Sequence, residues 1–302
     1  MFKIGVKPRA AASLFSAAII QATYGPLTRE MVLMFGTYAQ VAFRLCMGFL
    51  AITLFNMMRR KFLRLPAEFR KKTVLLGVVW FCNVALFTVS VTTTSIATSV
   101  FVMYAASIVS SLFFGVVFQR ERLRPVKLVA VVVAMTGLVM YTGATPMSVG
   151  AFAALGAGVL DGLSNIIRKR LKRVDGYTLL QYQSAVCAVA AVLAALLIPE
   201  QSVHQFSAWA LWAGVLYGAL SLARNKLLHF GIHHFDTHVG AIILATQLFF
   251  AALFGAVFYN EVPTVMQLSG GVVIFMAALL CMVKRQDVRW LHLRLRVYFG
   301  YT

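Results

Sequence analysis

The sequence predicts an all-α polytopic membrane protein with ten transmembrane helices, arranged as two inverted five-helix repeats. Three observations carry that prediction. Ten apolar stretches run along the 302 residues, each long enough to cross a hydrocarbon core of about 30 Å. With 61% hydrophobic and 12% charged residues, the chain has too little polar surface to cover a water-soluble globule of that length. When it is threaded back and forth at the apolar stretches, 26 of its 28 Lys and Arg residues fall on one side. Positive charge is retained on the cytoplasmic side during insertion. Both termini are therefore expected in the cytoplasm, with an even number of spans in a plasma (inner) membrane.

The elements follow in order. Span one is expected over 11–27, behind Lys3, Lys7 and Arg9. It resembles a signal peptide in that respect, but it lacks a small-x-small cleavage site and nine more spans follow, so it is expected to be retained. Span two (34–57) carries Arg44, the one basic residue deep inside a span, and Arg29 is the one basic residue expected on the external side. Seven basic residues follow in RRKFLRLPAEFRKK (59–72), which interleaves charge with apolar side chains, is broken by Pro66, and is expected to lie on anionic lipid headgroups. Spans three (73–91), four (96–118) and five (126–143) come next, with four basic residues in 120–127. Span six (149–167) repeats Gly150, Ala154, Gly158 and Gly162 at every fourth position, the mark of a close-packing face. Five basic residues occupy 168–173, and spans seven (177–198), eight (209–229), nine (237–259) and ten (265–283) complete the set. Arg224 and Lys226 stand at the inner end of span eight, and the tail VRWLHLRLRVYF (288–299) is expected to lie on headgroups. Cys46, Cys82, Cys187 and Cys281 fall inside spans with no CxxC spacing and read as small buried apolar residues.

The chain repeats itself at an offset of 140 residues. FGVVFQRE (Phe114 to Glu121) matches FGAVFYNE (Phe254 to Glu261), and Leu128/Leu268, Val132/Val272 and Val133/Val273 continue the register. Each half then holds five spans, and an odd number makes the second half enter upside down, with Glu121 cytoplasmic and Glu261 external. The expected organisation is a first repeat over 1–145, a second, inverted repeat over 146–284, and a basic interfacial tail over 285–302. Inverted repeats are the way secondary transporters build two alternately opening gates around one central site.

These residues resemble a known family. Five plus five spans, a Glu-bearing turn after spans four and nine (FGVVFQRERL and FGAVFYNEVP), Tyr24-Gly25 late in span one and Arg44 in QVAFRLCMGFLA are similar to the EamA-type branch of the drug/metabolite transporter superfamily. The family usually has Trp-Gly in place of Tyr24-Gly25. It often has Pro where this chain has Ile108 and Leu248. The resemblance implies a ten-helix carrier with spans one, three, four, six, eight and nine around a cavity and spans five and ten outside it.

The polar residues inside the spans give the same arrangement by themselves, because a polar group in hydrocarbon must face protein or a wet cavity. Span one offers Gln21, Tyr24 and Thr28; span three Trp80, Asn83 and Phe87; span four Tyr104, Ser107 and Ser111; span six Asp161 and Asn165; span eight Tyr217, Ser221 and Arg224; span nine Gln247 and His238. Spans five and ten offer little beyond Thr136, Tyr141 and Ser269. Ser107, Ser111 and Ser221 are expected to bond their own backbone. Tyr104 and Trp80 lie too deep for an interfacial belt. Arg44 either lines the pathway or pairs and snorkels, with Gln183 at the matching place in span seven. Asp161 is expected to pair with Arg224 and to bind a substrate ammonium or carry a proton. His229, His233, His234 and His238 cluster between spans eight and nine, but Gly231 interrupts the run and no Cys joins it, so no metal is expected.

The expected substrate-binding set is thus Gln21, Tyr24, Arg44, Trp80, Asn83, Tyr104, Asp161, Asn165, Tyr217, Arg224 and Gln247. It mixes both charges with amides and aromatic rings, which suits an amino acid or related zwitterion with an apolar or aromatic side chain. The expected function is export of small organic metabolites by alternating access, with a coupled ion or proton as a further partner. No Walker sequence, cofactor motif or paired intramembrane carboxylates are present, which speaks against an ATP motor, a bound cofactor and an enzyme. A flippase for a lipid-linked head group or a membrane-embedded hydrolase or transferase are the competing readings. The formal charge of +19 belongs to span ends and lipid headgroups, and no nucleic-acid partner is expected.

Overall fold

The computed structural model describes residues 6–60, 64–94, 96–120, 125–142, 148–198, 207–259 and 264–282. Among the described residues there are twelve helices and no strand: α1 (Val6–Ala22), α2 (Tyr24–Phe35), α3 (Thr37–Met58), α4 (Ala67–Thr93), α5 (Ile96–Gln119), α6 (Pro125–Thr142), α7 (Val149–Arg170), α8 (Gly176–Leu197), α9 (Ala208–Ile232), α10 (Thr237–Ala245), α11 (Gln247–Tyr259) and α12 (Val265–Met282). Five are long and apolar enough to cross a membrane by length and composition: α3, α4, α5 over Val102–Gln119, α7 and α8. Shorter apolar runs, Leu128–Gly137 and Val239–Ala251, lie in α6 and across α10 and α11. Large apolar side chains point outward, as at Leu197 (80% exposed), Trp212 (67%) and Val257 (66%). In water such a surface would be a liability; in hydrocarbon it is the required one.

Two of the expected spans are each built from two helices, for local reasons. Span one breaks at Thr23, because Pro26 has no amide hydrogen for the Ala22 carbonyl and its ring crowds that carbonyl. The Thr23 hydroxyl donates to the Ile20 carbonyl at 2.7 Å. Span nine breaks at Thr246 without a proline. There the Thr246 hydroxyl donates to the Ile243 carbonyl at 2.6 Å and its amide to the same carbonyl at 3.2 Å, which replaces a four-residue helical bond with a three-residue turn. Beyond the first break the chain stays helical to Phe35, well past the expected end of the span, and reverses at Gly36, whose φ of 79° favours glycine.

Within 59–72, α4 begins at Ala67, ahead of the expected start of span three, so Arg70, Lys71 and Lys72 lie in its first turns. Leu65 is buried with Leu76, Ile167, Leu171, Val174 and Leu179, which folds the loop back onto the ends of α7 and α8. α8 starts where Asp175 caps it, accepting from the amides of Tyr177 (2.9 Å) and Thr178 (3.0 Å). Partial burial alone would raise that carboxyl's pKa, but the amide bonds and the charge of Lys226 hold it below the usual carboxylate value. Residues 61–63, Glu121, Glu261 and the tail after Met282 lie outside the described residues. Cys187 is buried, whereas Cys46 and Cys82 are half-buried.

The main contacts between α1–α6 and α7–α12 come in matched pairs. α1 packs on α9 as α7 packs on α4; α3 packs on α9 as α8 packs on α4; α1 packs on α10 and α11 as α7 packs on α5. The pairs α3 with α8, α5 with α10, and α6 with α12 are their own counterparts. The small-residue face of α7 makes this possible. A Cβ added at Gly158 would collide with the Met103 carbonyl oxygen, and one at Gly162 with the Ser110 hydroxyl. Gly158→Ala is expected to lower stability by about 1–3 kcal/mol through overpacking, whereas Gly25→Ala, whose added methyl meets nothing within 4 Å, should leave it unchanged. Thermal unfolding of the two purified variants in detergent measures the difference.

Candidate functional site

A cavity of about 150 Å³ lies between the two segments. Gln21, Tyr24, Arg44, Trp80, Asn83, Asp161, Tyr217, Arg224 and Gln247 line it, together with Thr28, Phe87, Thr88, Val91, Val100 and Met103. The two remaining expected residues stand directly behind: the Tyr104 hydroxyl donates to the Gln247 Oε1, and Asn165 Nδ2 donates to Asp161 Oδ2 at 3.3 Å. All eleven therefore belong to one connected group. α3 enters the wall through Arg44, which adds span two to the expected lining helices. α6 and α12 pack against each other, and none of their described side chains lines the cavity. The His238 side chain lies outside the described residues.

A second, smaller cavity of about 50 Å³ adjoins the first. Tyr24, Arg44, Trp80, Tyr217 and Arg224 line both and so form the partition between them. Ile52, Leu180, Gln183, Cys187 and Asn225 close the smaller one. The partition is packed by aromatic and cationic contacts. The Tyr24 and Tyr217 ring centroids are 4.5 Å apart, the Arg44 guanidinium lies 5.5 Å from the Tyr217 ring, and that of Arg224 lies 4.9 Å from the Trp80 ring, the latter two being distances at which a ring face attracts a cation.

Arg44 is 4% exposed and does not snorkel. Its Nη1 donates to Thr28 Oγ1 at 2.8 Å and its Nη2 to Thr88 Oγ1 at 2.6 Å, while Nε has no partner. The expected pairing of Asp161 with Arg224 is not formed. Arg224 donates to Gln21 Oε1 from Nε (3.1 Å) and Nη2 (2.5 Å) and to Asn225 Oδ1 at 3.2 Å. Asp161 instead accepts from the Ser107 hydroxyl at 2.6 Å. Ser107 thus serves the carboxylate and not its own backbone, because α5 and α7 approach closely enough along the glycine face to bring the two together. Ser221 does bond its own helix, at the Gly218 carbonyl, and Ser111 Oγ has no protein partner. Asn83 spends its amide hydrogen on the Ala157 carbonyl.

Arg168 corrects the charge map. Expected among the interfacial residues 168–173, it is instead 0% exposed, with its guanidinium 5.8 Å from the Trp80 ring and none of its three side-chain nitrogens bonded. Thr28, Thr88 and Arg168 were not among the expected site residues. The spacing Asp161, Asn165, Arg168 puts all three on one helical face, which is the signal that could have found Arg168. Thr28 carries a signal of its own, at helical spacing from Gln21 and Tyr24 on span one; Thr88 carries none. The histidines stay local: the His229 and His233 rings meet edge to face at 4.4 Å, and His234 bonds the Phe230 carbonyl. Among the described residues no three His, Cys, Asp or Glu side chains gather as a metal would require.

A family model for the EamA-like transporter family matches residues 9–143 and again 148–283. The protein belongs to the EamA-like transporter family. It is accordingly an integral membrane transporter of the drug/metabolite transporter superfamily, and the members of this family are transporters, not enzymes. A solved structure described only as "Crystal structure of protein" is similar over 91% of this chain and 98% of its own, at 18% identity and a TM-score of 0.74; it shows the shared fold. No curated protein matches the chain.

Arg44 provides a test of the site's construction. Thr88→Val keeps the volume of the side chain but leaves a buried guanidinium nitrogen without its acceptor, so stability should fall by about 1–3 kcal/mol. Thermal unfolding of the purified variant beside wild type measures it, and a change near zero would show that Arg44 finds another partner.

Proposed function

We propose that this EamA-family protein is a secondary active carrier that exports small organic metabolites by alternating access, and that its cargo is an amine-carboxylate such as an amino acid or related zwitterion. The observation that carries this reading is one carboxylate, Asp161, and two guanidiniums, Arg44 and Arg224, facing a single cavity beside Trp80 and Tyr217. A cargo ammonium is held by Asp161, its carboxylate by Arg224 or Arg44, and an apolar or aromatic side chain by the rings. Asp161 is also the group able to couple transport to a proton or ion, since it is the acid on the cavity wall.

The transport geometry rests on ten spans in two inverted repeats, 1–145 and 146–284, with both termini in the cytoplasm of a plasma membrane and the basic loops and the tail 285–302 on anionic headgroups. The matched helix contacts support a two-fold relation between the repeats, and five spans per repeat makes it an inverting one. On this topology the larger cavity reaches residues near the outer helix ends (Thr28, Val91, Val100), and the smaller one reaches toward the inner ends (Ile52, Leu180, Asn225). The inner ends of α3, α8 and α9 are tied at Tyr177, with Arg59 4.7 Å and Lys226 3.7 Å from its ring. The structure is then an outward-facing state, with the Trp80 and Tyr217 partition and the Tyr177 clamp closing the inner side.

Reconstitution of the purified protein into liposomes, with uptake followed across a pooled metabolite library, tests the function. Asp161→Asn and Arg224→Gln should each reduce transport by about tenfold or more while the protein stays monodisperse in detergent; normal transport by Asp161→Asn would remove that residue from the mechanism. Topology is tested in a cysteine-free background. Single cysteines replacing Val149 and Val265 should react with an impermeant thiol reagent added outside, and those replacing Arg64 and Lys172 should not. Reaction of the Val149 and Lys172 positions from the same side would overturn the ten-span arrangement.

A further inference from the structure

The buried charges around the cavity do not balance. Arg44, Arg168 and Arg224 are all buried, at 4%, 0% and 2% exposure, while among the described residues Asp161 is the one acid on the cavity wall. None of the three guanidiniums bonds a carboxylate: Arg44 is held by two hydroxyls, Arg224 by two amide oxygens, and Arg168 by nothing. A cation withdrawn from water without a counter-charge is strongly destabilised, and three beside one acid leave an excess of positive charge that a neutral zwitterion cannot offset. Arg168 is the sharpest case. It lies on α7 seven residues, or about 10 Å, toward the inner end from Asp161, and it shares Trp80 with Arg224. The Gln183 Oε1 in the smaller cavity is also without a partner, as are the Arg44 Nε and the Tyr24 hydroxyl on the partition itself.

We infer that Arg168 is a second anion-binding group, reached when Trp80 moves, and that the cargo is an amine carrying two acidic groups. This rests on the amine-carboxylate reading of the same site. Asp161 takes the ammonium, Arg224 one carboxylate, and Arg168 the second. The cargo then brings the net negative charge that the wall lacks. In the outward-facing state Trp80 covers Arg168, so the second acidic group engages it as the partition opens and the cargo enters from the cytoplasmic side. No covalent step is involved; the proposal concerns only which ions pair.

Glutamate and glutamine test it, because they differ by a carboxylate against an amide of the same size, as do aspartate and asparagine. Binding is measured as the ligand-dependent rise in melting temperature of the purified full-length protein. Wild type should bind the acid of each pair at about tenfold lower concentration than the amide, the margin of one charge-assisted bond. Arg168→Gln should collapse that ratio toward one, and Arg168→Lys, which keeps the charge, should preserve it in part. Equal affinity for acid and amide in the wild type would overturn this inference and leave the amine-carboxylate carrier standing. Failure of all four ligands to bind would overturn both. Because the wild-type comparison decides on its own, a variant that does not fold leaves the outcome intact; an unchanged ratio in a folded Arg168→Gln would remove Arg168 from the site.

Discussion

Hydrocarbon supplies no hydrogen bonds, and this one constraint arranges the rest of the protein. A polar side chain carried into the membrane is costly unless it finds a partner inside the bundle, and around the cavity most of the partners come from a neighbouring helix. Arg44 ties α3 to α2 and α4 through two threonines; Arg224 ties α9 to α1 through Gln21; Asp161 ties α7 to α5 through Ser107; Asn83 ties α4 to the α7 backbone. The same bonds that satisfy these groups also join the helices around the cavity. The outward faces carry large apolar side chains such as Leu197, Trp212 and Val257.

The helix breaks at Thr23 and Thr246 belong to the same logic. Irregular backbone at membrane depth is tolerated only where protein or a cavity surrounds it, and both breaks sit at the cavity wall, beside Tyr24 and Gln247. Each uses a threonine hydroxyl to satisfy the carbonyl at i−3. One break has a proline to cause it and the other has none, so a helix in this fold bends for reasons of hydrogen bonding as well as of ring sterics. Breaking the helix frees the next side chain from the regular face and directs it toward the cavity.

Trp80 is the pivot of the partition. It lines both cavities and has the Arg224 and Arg168 guanidiniums near its ring. The ring's quadrupole attracts both guanidiniums, which lets Trp80 join α7 and α9 at the partition without a fixed hydrogen bond to either cation.

The sequence alone determined the membrane class, the helical composition, the repeat and the family, because each is written in long-range regularities: apolar runs, basic residues on one side, and FGVVFQRE echoed by FGAVFYNE. It also determined which residues gather, since intramembrane polarity is rare enough for Gln21, Tyr24, Arg44, Trp80, Asn83, Asp161, Tyr217, Arg224 and Gln247 to single themselves out. Only the tertiary structure decided who bonds to whom. Asp161 turned to Ser107 and not to Arg224, because the glycine face of α7 sets α5 at contact distance. Arg168 turned inward although it stands at the head of a basic run, because it shares a helical face with Asp161 and Asn165. Thr246 broke its helix with no proline near it. A pattern along the chain fixes which face a residue occupies; the partner on that face belongs to another helix, and its distance is set by packing that no single segment encodes.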